Sequence, residues 1–303
     1  MNAIRVANAP CSYGAFEMTV GVLPHVPGAE RVLDAIAGAG YEGTELGPPL
    51  YLGDRETLRQ RLEGHDLVLV GGYIPFRFSE PEHWDEDLEA MSGTLELFAA
   101  GGGSEAKAVL ADAGSDERIR YPGRAASDRS IGLDDAGWRR LADGVARAAD
   151  LARTRGFEPT FHHHTATYVE APWEIERVLE LTDVGLLLDT GHLVLGGGDP
   201  SQALRDWGER INHVHVKDVR ADVLEGVIRD AADMPEAWRR GVFCDLGRGD
   251  VDLDGFFAEL GRSGYSGWLV VEQDMVPQSA ADAAEAEAAQ VRNREWLREH
   301  ADV

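Results

Sequence analysis

Cysteine is nearly missing from this chain. Cys11 and Cys244 are its only two, too few and too far apart for a disulfide framework or a zinc-finger spacing, so both are expected as free thiols. Long apolar runs are also missing: none approaches the roughly 20 residues that cross a bilayer, and the opening stretch MNAIRVANAP reads as a first strand and not as an export signal. A cytoplasmic protein is expected. Positive charge is scarce, with 29 basic against 54 acidic residues and a formal net charge of −25. Such a surface repels phosphate backbones and anionic lipid, which argues against nucleic acid or membrane partners and for a small neutral substrate or one bound through a metal. No GxGxxG follows the first strand, there is no HExxH or CxxC, and no linker, repeat or low-complexity tract divides the 303 residues.

What is present is an alternation. Short Val, Ile and Leu runs at 4–10, 43–47, 67–74, 106–112, 159–164, 185–190, 211–218 and 268–274 alternate with helical periodicity at 28–39, 54–64, 84–100, 134–155, 172–182, 200–207, 253–263 and 279–299. Eight βα pairs with buried parallel strands predict one (β/α)₈ TIM barrel over 1–303, preferred to a doubly wound open sheet. Several strands begin apolar and end polar, as in FHHH, LLLDTGH, HVHVKD and VVEQD, which is the pattern of a site at the C-terminal strand ends. Residues 113–133 and 219–250 are too long for turns and are expected as functional loops over that face. The four arginines of the first (Arg118, Arg120, Arg124, Arg129) either hold a substrate anion or, the favoured reading, are solvated.

Six of the ten histidines fall between His162 and His215. In GLLLDTGHL the strand delivers Asp189 to its end, and Gly191 lets His192 fold back towards it; alternatively Asp189 caps the next turn and His192 faces solvent. In INHVHVKD, His213, His215 and Lys217 alternate with valines and share one strand face. Lys217 reads equally as a site group or as the salt-bridge partner of a nearby carboxylate. Glu272 follows four apolar residues as candidate metal ligand or general base, and Glu45 ends the second strand as a candidate for orienting substrate. In the triplet, His162 and His164 lie about 6.6 Å apart on one face and His163 on the other, so the first two are expected in the barrel mouth. Asp189, His215, Glu272 and one group from FHHH form an oxygen/nitrogen set suited to Mn²⁺, Co²⁺, Fe²⁺ or Zn²⁺.

At these residues the chain resembles the xylose-isomerase-like superfamily of barrels, and within it the inosose (keto-inositol) dehydratases. NAPCSYG at 8–14, GYEGTELGP at 40–48, FHHHTATYVE at 161–170, LLLDTGHLVLGGGDP at 186–200, HVHVKDV at 213–219 and LGRGDVD at 246–252 carry the resemblance. It implies a divalent metal, Mn²⁺ or Co²⁺ first with Zn²⁺, Fe²⁺ and Mg²⁺ as alternatives, held by Asp189, His215 and Glu272. The superfamily's remaining Glu ligand is replaced by His162, so His162 either binds the ion or serves as acid/base. The implied reaction is dehydration of a keto-inositol through an enolate, with a small polyol or keto-sugar as substrate. Glu272 is then ligand and possible base, His162 or His164 the acid, His192 and Lys217 orienting or relay groups, and Asn8, Glu45 and His213 substrate contacts. A sugar isomerase or 3-epimerase is the second reading. An endonuclease IV-like nuclease is disfavoured by the acidity and the ligand count. A homo-oligomer is compatible with all of these.

Overall fold

The computed structural model describes residues 4–301 and 303. Its strands are β1 (Arg5–Asn8), β2 (Gly43–Glu45), β3 (Val68–Phe76), β4 (Lys107–Asp112), β5 (Glu158–His162), β6 (Gly185–Asp189), β7 (Ile211–Val216), β8 (Asp218–Val219), β9 (Phe243–Cys244) and β10 (Trp268–Val271). Eight of them close a parallel barrel in the order β1-β10-β7-β6-β5-β4-β3-β2, and β8 pairs antiparallel with β9. Each predicted strand window holds one barrel strand. Most windows overran at the C-terminal end, because the polar groups there belong to the mouth and no longer to the ladder.

The strand alternation builds two cores. Outward residues such as Leu110, Phe161, Leu186, Leu188, Val214, Val216 and Leu269 join the large cluster under the helices, whereas Ala7, Ala9, Val70, Trp268 and Val270 form a small one inside the barrel. The interior cluster is small because most of the upper barrel is given to ionisable groups. Helices begin where the sequence supplies caps: Asp134, Asp199, Asp252 and Ser279 accept backbone N–H groups of Gly137, Ser201, Gly255 and Asp282 respectively, each satisfying an otherwise orphaned donor.

The two long connections are more ordered than their sequence suggested. Residues 113–133 contain the short helix Asp116–Arg120, and 219–250 contain helices Ala221–Arg229 and Met234–Arg239 and the strand β9. Another helix, Thr190–Leu195, starts directly after β6. Neither reading of the four arginines fits Arg118. It is fully buried, with Nη1 2.8 Å from Glu174 Oε1 and Nη2 3.2 Å from Glu170 Oε2. Glu170 in turn accepts the N–H groups of Gly123 and Ala166 at 2.7 and 2.9 Å. The ion pair therefore ties the segment after β4 to the one after β5.

Candidate functional site

Asp189 ends β6 as the cap of helix Thr190–Leu195: its Oδ1 accepts the His192 N–H at 2.9 Å. Its Oδ2 stays free to face the barrel axis, 3.1 Å from Lys217 Nζ and 3.7 Å from His215 Nδ1. The capping and converging readings of DTGH thus hold together. Thr190 Oγ1 exchanges hydrogen bonds with the Lys217 backbone at 2.7 and 2.9 Å, which locks the ends of β6 and β7 in step. A Cβ on Gly191 would lie 2.6 Å from Lys217 Cβ, so only glycine lets this turn pass so near the lysine.

Lys217 is 1% exposed and sits among three carboxylates, with Nζ 2.5 Å from Glu272 Oε2, 3.1 Å from Asp189 Oδ2 and 3.5 Å from Asp274 Oδ1. Burial alone would pull its pKa down, but Asp189, Asp274 and Glu272 raise it well above the usual lysine value. His215 links Nδ1 to Glu272 Oε2 and Nε2 to Glu45 Oε1, both at 2.9 Å. Against the penalty of burial, Glu272 and Glu45 raise its pKa well above the ordinary imidazole value.

The triplet divides as strand geometry requires. His162 and His164 line the mouth cavity; His163 turns away, its Nε2 accepting the Asp189 N–H at 3.2 Å. Burial pushes His163 and His164 down to about 4, and burial followed by the charge of His215 lowers His162 well below its usual value. His164 Nδ1 lies 2.8 Å from the Thr165 carbonyl; a carbonyl only accepts, so the proton is on Nδ1 and Nε2 carries a lone pair. His192 is fully buried, not solvent-facing, with its ring centroid 3.8 Å from that of His164. Its Nδ1 accepts from Thr165, and its Nε2 lies 3.3 Å from Lys217 Nζ.

Two expected substrate contacts are not at the mouth. Asn8 faces the helix layer, where its Nδ2 donates to Val271 O and Gln290 Oε1, both at 2.9 Å, because its strand position alternates with the inward Ala7. His213 lies one layer below the mouth, Nε2 3.0 Å from Glu45 Oε1, and lines a separate opening of about 910 Å³ with Arg5, Lys107 and Trp268. Glu45 is shared between His213 and His215. Although burial opposes ionisation, His215 and then His213 hold its carboxyl well below the usual range.

The mouth cavity, about 270 Å³, is lined by Glu45, Tyr73, His162, His164, His215, Lys217, Glu272 and Asp274, and by an apolar side including Pro10, Phe16, Met18, Pro48 and Trp238. Phe16 and Trp238 stack at 6.1 Å and 22°. Sequence reasoning missed Asp274, although it sits two residues after Glu272 and shares its side of the chain; burial raises its pKa to about 6. It also missed Tyr73 and Trp238, for which no local signal exists.

Donor atoms of His162, Asp189 and His215 lie within 4.8 Å of one another, and His162 Nδ1 is buried without a partner among the described residues. With Glu272 against His215, these groups make a nitrogen/oxygen set whose chemistry fits a divalent metal of borderline hardness.

Asp112, at the end of β4, holds the rim by accepting the N–H groups of Gly114 and Tyr168 at 3.1 and 2.9 Å. Burial outweighs those bonds and raises its pKa to about 6. A carboxyl raised on folding contributes stability that is complete below its unfolded pKa and lost as pH rises through the folded one. Asp112→Asn is therefore expected to gain about 1 kcal/mol on the wild type between about pH 5 and about pH 7.5, measured by urea unfolding of metal-free protein.

Residues 33–300 match the family described as xylose isomerase-like TIM barrel. The chain is 35% identical over 290 residues to the inosose dehydratase of Geobacillus kaustophilus (strain HTA426), covering 92% of this chain and 90% of that one. It is 32% identical over 254 residues to the inosose dehydratase of Lacticaseibacillus casei, covering 83% and 84%. The fold superposes on the IOLI protein with a binding zinc atom at a TM-score of 0.71 and 16% identity, covering 99% of this chain and 98% of that one. No described helix is long and apolar enough to cross a membrane. The closed parallel barrel, the polar strand ends gathered at one mouth and these end-to-end matches place the chain in the xylose isomerase-like TIM barrel family, beside its inosose dehydratases.

Proposed function

We propose that the protein is a divalent-metal-dependent hydro-lyase that removes water from a neutral keto-inositol. The observation that carries this reading is the 35% identity to an inosose dehydratase over 92% of the chain. Asp189, His215, Glu272 and His162 would hold the ion, Mn²⁺ or Co²⁺ ahead of Zn²⁺, Fe²⁺ or Mg²⁺. Bound there, it supplies a Lewis acid for the ketone oxygen, which acidifies the neighbouring C–H.

The chain's own groups handle the protons. His164, neutral and with its Nε2 lone pair free, takes the proton from the carbon beside the ketone; the hydrogen bond from its Nδ1 to Thr165 makes it a base and not the acid expected from sequence. Lys217, the one ammonium lining the cavity among the described residues, gives a proton to the departing β-hydroxyl, which leaves as water. Asp274, 3.5 Å from Nζ, is placed to return that proton, and His192 keeps the imidazole of His164 in place. The products are a diketone, or its enol, and water, with no net change of oxidation state.

The lining also argues for an uncharged substrate. Glu17, Glu45, Glu272 and Asp274 face one lysine, so a phosphorylated sugar meets like charge, worth several kcal/mol. The stacked Phe16 and Trp238 suit the C–H face of a six-membered ring. Incubation of metal-loaded enzyme with keto-inositols and ketoses in deuterated water tests the reading. A new ultraviolet-absorbing enone or diketone is expected from a keto-inositol, with kcat/KM at least about 100-fold lower for ketose phosphates; deuterated isomers alone would establish an epimerase instead.

A further inference from the structure

Tyr73 enters no expected role, yet it lines the cavity on the strand across from the one that leads into Lys217. In β3 the side chains alternate: Ile74 and Phe76 belong to the core under the helices, so Gly71 and Tyr73 face the barrel axis. A Cβ at Gly71 would lie 3.1 Å from Glu45 Oε1. The missing side chain at Gly71 makes room for Glu45, and Tyr73 stands two residues further towards the mouth. In the barrel order β3 lies directly across from β7, the strand that carries His215 and leads into Lys217. The Tyr73 ring is wedged edge-on against both His162 and His164, with centroids 6.3 and 6.2 Å apart.

Its hydroxyl is unengaged. Tyr41, Tyr51 and Tyr265 donate to the carbonyls of Gln290, Pro27 and Trp268 at 3.0, 2.6 and 2.8 Å, whereas the Tyr73 hydroxyl has no such partner among the described residues although its side chain lines the cavity. A phenol in that position finds its partner in whatever fills the cavity. We infer that Tyr73 is a substrate-binding and specificity-determining residue, whose hydroxyl bonds a hydroxyl on the polyol edge remote from Lys217 and Glu272. This rests on the neutral-polyol reading above. The contact spans the cavity and fixes which ring carbons face His164 and Lys217, while the ring itself braces the two histidines.

Tyr73→Phe removes the hydroxyl and keeps the brace. The expected result is a KM raised about tenfold for the keto-inositol, with kcat changed less than about threefold and metal content and Tm unchanged. Among keto-inositols lacking one hydroxyl, one is expected to lose about tenfold in KM with the wild type and nothing further with Tyr73→Phe. Wild-type KM in the variant for every substrate, or a fall in kcat alone, overturns the inference. Calorimetric titration of both proteins with neutral polyols separates this from the functional reading. If the wild type binds a polyol but dehydrates no keto-inositol, the activity is wrong and Tyr73 is still judged by whether Tyr73→Phe binds that polyol about tenfold more weakly. If the wild type binds none, both fall.

Discussion

Asp189→Asn is expected to fold yet lose its metal and, with it, more than about 100-fold in turnover, since even groups that only support a ligand are worth about 10–100-fold. The two carboxylate oxygens do different work. Oδ1 accepts the His192 N–H, and an Asn oxygen can keep that cap. Oδ2 faces Lys217 and His215, and there the amide brings N–H groups towards an ammonium and offers no anionic donor. Burial opposes charge on Asp189, but Lys217 first and then His215 lower its pKa well below the usual value, so the wild type holds a preformed anion at the mouth. Asp189→Ala loses the same donor and the cap as well, with a further stability cost of about 1 kcal/mol. Elemental analysis of the purified variants, with keto-inositol turnover measured alongside, checks the set. Full metal content and activity in Asp189→Asn would remove Asp189 from it.

The barrel was legible because several strands are apolar runs ending in polar groups, so pattern and candidate site announced one another. That Asp189, His215, Lys217 and Glu272 meet at one mouth was readable for that reason, and the triplet's two faces followed from strand alternation alone. The same polar ends blurred the boundaries: 211–218 was read as one strand, whereas β7 stops at Val216 and β8 starts at Asp218. Arg118 could not be read, because its partners Glu170 and Glu174 are 52 and 56 residues away and meet it only once two loops are laid side by side. Asn8 failed for the opposite reason. Its motif was recognised, but one residue of strand phase sends it to Gln290 on the helix Ala280–His300. Residues 219–250 hid Ala221–Arg229, whose buried Leu224 and Val227 make too short a period to separate from a loop, and with it the approach that brings Trp238 over the cavity.

Lys217→Met is expected to lower turnover about 10³-fold while the protein retains its metal, which separates proton donation from ligation. A lysine buried among Asp189, Glu272 and Asp274 has two possible duties: to neutralise the carboxylates, or to deliver a proton between them. Methionine matches the stem and removes the charge. In metal-free protein the carboxylates are then left without their cation, a loss of about 3–5 kcal/mol. A divalent ion restores neutralisation, so added metal is expected to raise the Tm of Lys217→Met by more than that of the wild type. If neutralisation were the lysine's whole task, metal-saturated Lys217→Met would be both stable and active. If Lys217 is the acid for the departing hydroxyl, saturation restores stability and leaves turnover low. Arginine is not expected to rescue it. The compact ammonium sits 2.5 to 3.5 Å from Glu272, Asp189 and Asp274, and the larger planar guanidinium does not reproduce that placement.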